Sequence, residues 1–146
     1  MGFKYGLWLI YDNDEMSRDH IPHIIIANFL EKNNAEKLFM ELVEKNGLYT
    51  KSTINGKPDY FYSSDYDDKN KLCAWGYNGV CSDWKKYEKI CRKYDCIFHE
   101  KVFASVEYGI FPKSFHPTGT EKKELECQLC MVDMRSDFPV DWKIIL

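Results

Sequence analysis

Pro22-His23-Ile24-Ile25-Ile26-Ala27-Asn28-Phe29, followed by Ala35, Leu38, Phe39, Leu42 and Val43, is the stretch on which the fold turns. The first eight residues are rich in β-branched side chains and predict a strand. Pro22 stands at its first position, where a missing N–H does least harm. The second set recurs every three or four residues, which is the apolar stripe of an amphipathic helix. Asn33 or Asn34 is placed to cap that helix, and Gly47 to end it.

Working outward, Tyr5-Gly6-Leu7-Trp8-Leu9-Ile10-Tyr11 is a short apolar run that reads as a buried strand, with a polar connection over 12–18. Residues 48–80 read as an antiparallel meander. Asn55-Gly56 is a hairpin-turn dipeptide, and Tyr60-Phe61-Tyr62 and Leu72-Cys73-Ala74-Trp75 flank a polar tip over 65–70. Ser82 is placed to cap a second helix with Trp84, Tyr87, Ile90, Cys91 and Tyr94 on one face. A long strand is predicted over 97–108, then a Pro- and Gly-bearing stretch over 109–120. A closing hairpin, 125–134 with 141–146, turns at 135–139. The order is two strands, a helix, a meander, a helix and three more strands, with no linker or repeat. It predicts one α+β domain over 1–146, in which two pseudo-symmetric lobes of antiparallel sheet carry their helices outside and enclose a central cleft.

The bulk properties narrow the function. A net charge of −3 over 146 residues gives no global basic footprint for duplex DNA. No stretch approaches the length of an apolar membrane span, and the N-terminus lacks the pattern of a signal peptide. Six cysteines without a secretion signal read as free thiols in a reducing, cytoplasmic setting. Cys127 and Cys130 make one C-x-x-C, but on a predicted strand rather than a turn, and no second ligand pair matches it, so no metal and no cofactor is expected. Aromatic residues reach 16%, enough to build a core on rings and to supply stacking surfaces in a cleft.

Of the four histidines, His23 lies on a predicted strand, and His116 stands in Phe115-His116-Pro117-Thr118. His20 reads as a loop residue, and His99 as structural or solvent-facing. The opening Gly6-Leu7-Trp8-Leu9, the Pro22-His23-Ile24-Ile25-Ile26 strand with its helix, the His116-Pro117-Thr118 triplet and the closing hairpin together resemble the two-histidine phosphoesterase superfamily. That group includes RNA 2′,3′-cyclic phosphodiesterases and 2′-5′ RNA ligase-like proteins. The resemblance spans most of the chain.

It implies a metal-independent phosphodiesterase acting on a cyclic nucleotide or a short oligonucleotide. His23 and His116 would be base and acid, because imidazole can accept and donate a proton near neutral pH. Thr118 would donate to the phosphate. Trp8, Tyr11, Phe29 or Phe115 would stack on a base. The chain departs from the pattern at Ile25, where the resemblance places a second hydroxyl, and Pro117 and Gly119 make a poor strand of the second motif. Those departures motivate an alternative, a catalytically inactive module on the same fold that binds a nucleotide, RNA or a protein.

Overall fold

A computed structural model of the chain describes residues 3–11, 22–29, 31–136 and 142–146. The elements run β1 (Tyr5–Tyr11), β2 (His23–Phe29), α1 (Lys32–Asn46), β3 (Tyr49–Gly56), β4 (Asp59–Asp65), β5 (Asn70–Cys81), α2 (Trp84–Cys91), β6 (Ile97–Phe98), β7 (Val102–Pro112), β8 (Glu121–Asp133) and β9 (Lys143–Ile144). The architecture is α+β, dominated by antiparallel sheet. The polar connection expected over 12–18 lies outside the described residues, as does most of the last turn.

The strands follow the order β1-β2-β7-β5-β3-β8-β9. β8 also pairs with β1, from Tyr5 opposite Asp133 to Tyr11 opposite Cys127. The hydrogen-bonded path therefore returns to its starting strand. β4 attaches to β5, and β6 continues the pairing of β2 beyond β7.

Alternation along each strand sends successive side chains to opposite faces. One face carries Leu7, Leu9, Ile24, Ala104, Tyr77, Leu125, Leu129 and Met131, all in the core. The helices cover this face. Ala35, Leu38, Phe39 and Leu42 of α1 and Trp84, Tyr87, Ile90 and Cys91 of α2 are buried. A fully buried Leu or Ile contributes roughly 1.5–3 kcal/mol, so this packing, more than helix propensity, holds α1. Glu41 ties the helices together by accepting from Lys45, Lys93 and Tyr94, and the Lys93 contact holds its carboxyl at about 2.

Several local expectations are corrected. α1 begins at Lys32, before either asparagine, with Glu31 at its N-cap and no side-chain cap bond. The cap of α2 is Asp83 rather than Ser82. Asn55-Gly56 closes no tight hairpin. β3 gives one edge to β8 over 49–56 and the other to β5 over 52–54, so β4 pairs with β5 alone. The strand expected over 97–108 is split by a bend at 99–101, and its second part runs on to Pro112. No helix among the described residues is long and apolar enough to cross a membrane.

Candidate functional site

His23 begins β2 opposite Ser105 of β7 and Ile10 of β1. Its ring stacks on the Trp8 indole, with centroids 3.8 Å apart and planes 11° from parallel. Trp8 in turn meets Trp142 at 5.9 Å. Ile25 lies opposite Trp8, so His23, Ile25 and Trp8 share the sheet face that the helices leave uncovered. The grouping expected from the sequence is real in that sense. It is also closed, because His23 is 7% exposed and Trp8 4%. An indole laid flat on the imidazole shuts one side of the ring from solvent.

His116 has different surroundings. It sits in the coil after β7, exposed, with its Nδ1 3.4 Å from the Tyr60 hydroxyl. Thr118 is exposed in the same coil, and positive φ at Gly119 bends the chain there. Lys71 fixes this segment. Its buried ammonium donates to the Tyr60 hydroxyl at 2.7 Å, to the Lys113 carbonyl at 3.3 Å and to the Phe115 carbonyl. Phe115 stacks on Phe111 at 4.4 Å.

At the β5–β7 bulge, Gly76 pairs with Ser105 but Trp75 with Glu107, so one residue of β7 is skipped. A Cβ on Gly76 would meet the Ala104 carbonyl oxygen at 1.9 Å, so only glycine permits this approach. Trp75 packs toward the core and touches Tyr77 at 6.2 Å. Tyr60 lies opposite Trp75 and shares its face. His116 reaches Tyr60 from the coil after β7, whereas His23 stacks on Trp8 at the start of β2. His23 is therefore a buried strand residue, while His116 and Thr118 are exposed coil residues.

Of the aromatic residues expected to stack on a base, Tyr11 is buried on the core side and donates to the Ser105 carbonyl at 2.7 Å, and burial pushes its hydroxyl pKa up. Phe29 is fully buried. Neither lines an open cleft.

The uncovered face has an open groove elsewhere, of about 490 Å³, between the start of β4 and the β6–β7 bend. Tyr60, Phe61, Phe98, His99 and Phe103 supply its rings, and Asn78 also lines it. Phe61 meets Phe103 at 5.4 Å and His99 at 6.4 Å, with planes about 30° apart in both cases. Phe61 is the unpaired residue of the β4 bulge between Tyr60 and Tyr62. His99 is held by Asn28, whose Nδ2 lies 3.1 Å from Nε2, and burial lowers its pKa below 6.5. Asp59, Glu100 and Lys101 form the rim. Alternation along 97–105 placed His99 and Phe103 on one side of a strand. What that pattern lacked was Phe61, which the pairing of β4 with β5 and of β5 with β7 brings beside them.

Among the described residues no group of three or more His, Cys, Asp or Glu side chains is arranged to hold a metal. No protein-family model matches the chain, and no curated protein matches it.

Proposed function

We propose that this protein is a catalytically inactive binding module, and that the groove between β4 and the β6–β7 bend is where its ligand sits. One observation carries the reading. Phe61, His99 and Phe103 gather at one open groove, whereas His23 is buried against Trp8 at the start of β2 and His116 is exposed in the coil after β7. Acid–base cleavage of a phosphodiester needs both groups within hydrogen-bond reach of the same few atoms. A groove of this volume is in the range of small-ligand and side-chain recognition sites.

In this reading the sheet works as two lobes, β1-β2-β8 and β4-β5-β7, and the uncovered face between them is the cleft. The six cysteines are free thiols, which supports a cytoplasmic setting.

The test is direct. Purified protein, in chelator, is mixed with 2′,3′-cyclic nucleotides, cyclic dinucleotides and 2′-5′ oligoadenylate. No turnover is expected from the parent, and none from Ile25→Thr, which restores a hydroxyl beside His23. Hydrolysis that disappears in both His23→Ala and His116→Ala would overturn the proposal and restore the phosphodiesterase reading.

A further inference from the structure

The rim of the groove is not neutral. Asp59 and Glu100 are exposed, and neither forms an ion pair among the described residues. Asp59 Oδ1 accepts the backbone N–H of Tyr60 at 2.7 Å, which holds this carboxylate at the groove mouth. Lys101 is the single cation on the rim, so two carboxylates face one ammonium.

The walls favour a flat cation. Phe61 is 50% exposed, so much of its ring is open to a partner. Phe103 and His99 stand 5.4 and 6.4 Å from it, so the exposed ring is part of an aromatic cluster whose electron-rich surface attracts a cation. His99 would spoil the site if it were charged, but burial keeps it neutral at physiological pH, and its Nε2 is engaged by Asn28. It acts as a third ring rather than as a competing cation.

Building on the binding reading above, we infer that the groove receives an arginine side chain presented by a protein partner. A guanidinium is planar, always charged and weakly hydrated, so it stacks on the exposed Phe61 ring while its N–H groups reach Asp59 and Glu100. A lysine ammonium matches the charge but not the slot. A nucleotide base matches the slot, but its phosphate would meet two carboxylates.

The experiment uses the full chain labelled with ¹⁵N and a capped Gly-Ser-Arg-Ser-Gly peptide, compared with its lysine and citrulline analogues and with adenosine monophosphate. The arginine peptide is expected to shift the backbone amides of Phe61, Asn78 and 99–103 saturably, leaving His116 unmoved. Citrulline keeps the shape and loses the charge, and should bind about tenfold more weakly or worse. Glu100→Gln and Asp59→Asn should each weaken the arginine peptide roughly three- to tenfold, because each removes one charge-assisted contact. Lys101→Gln should strengthen it. These three positions are exposed, so the variants test the site without testing the fold.

Equal binding of the citrulline and arginine peptides would overturn the arginine assignment. So would saturable shifts from adenosine monophosphate with none from the arginine peptide, an outcome that leaves the binding reading standing. If no probe moves the groove amides, both the assignment and the groove reading fall.

Discussion

His23 and His116 carry the same side chain in opposite settings. His23 is fixed by its neighbours: a strand on each side, an indole flat against its ring and only 7% of its surface exposed. His116 is exposed, in a coil held from below by the buried ammonium of Lys71. Two histidines with similar local motifs share a reaction only if the register places them on one face. Here one of them begins a strand and the other stands in a coil beyond β7. The contrast teaches that a histidine motif reports local sequence, whereas acid–base chemistry is a relation between distant strands.

The strongest way to break this contrast is to open the His23 side. Trp8→Ala removes the indole that packs between His23 and Trp142. The expected loss is about 3–5 kcal/mol, the range for deleting a buried large aromatic. Urea unfolding measures it. A loss below about 1 kcal/mol would mean that His23 is not held by the stack.

Lys71→Met acts on the other side. It keeps the apolar stem and deletes the ammonium that bonds the Lys113 and Phe115 carbonyls and the Tyr60 hydroxyl. A stability loss of about 1–3 kcal/mol is expected, the cost of leaving buried acceptors unpaired. Hydrogen exchange should speed up at 115–118 and stay unchanged in β2. His116→Ala marks the lower limit of the comparison, within about 0.5 kcal/mol of the parent, as for an exposed coil residue.

The smallest effect concerns pH. Burial lowers the folded-state pKa of His99 below its unfolded value of 6.5. The unfolded chain then binds the proton more readily, so this contribution to stability is complete above 6.5 and is lost as pH falls toward the lowered value. His99→Phe should flatten that part of the stability profile while keeping a ring in the groove. An unchanged slope as pH falls below 6.5 would show that His99 is not desolvated.

Much of the fold was legible. The strand over 22–29 and the stripe of Ala35, Leu38, Phe39 and Leu42 appear where the pattern put them, because burial of a one-sided helix is written in its own periodicity. The helix caps were less legible. Packing of the stripe fixes α1, so its first turn winds through Asn33 and Asn34 without their help. The candidate site was only half legible. His23 and Ile25 share one face, as their spacing implied, and the β1–β2 register adds Trp8 to it, but Phe61, whose partners lie across β5, left no periodic signal.

By itself, then, the sequence determined the elements that depend on neighbours a few residues away: strands with β-branched runs, an amphipathic helix, and thiols left free in a chain with a large apolar core. The tertiary structure alone decided which faces those elements present to one another. β3 is claimed on both edges by β5 and β8, β8 returns to β1, and the bulges at Tyr60/Tyr62 and Trp75/Gly76 reverse the alternation on which any same-face prediction rests. A strand has a side-chain period of two, so one skipped residue moves everything beyond it to the opposite face. That is why local motifs could single out His23 and His116, while only the strand pairings show Phe61, His99 and Phe103 gathered around a groove.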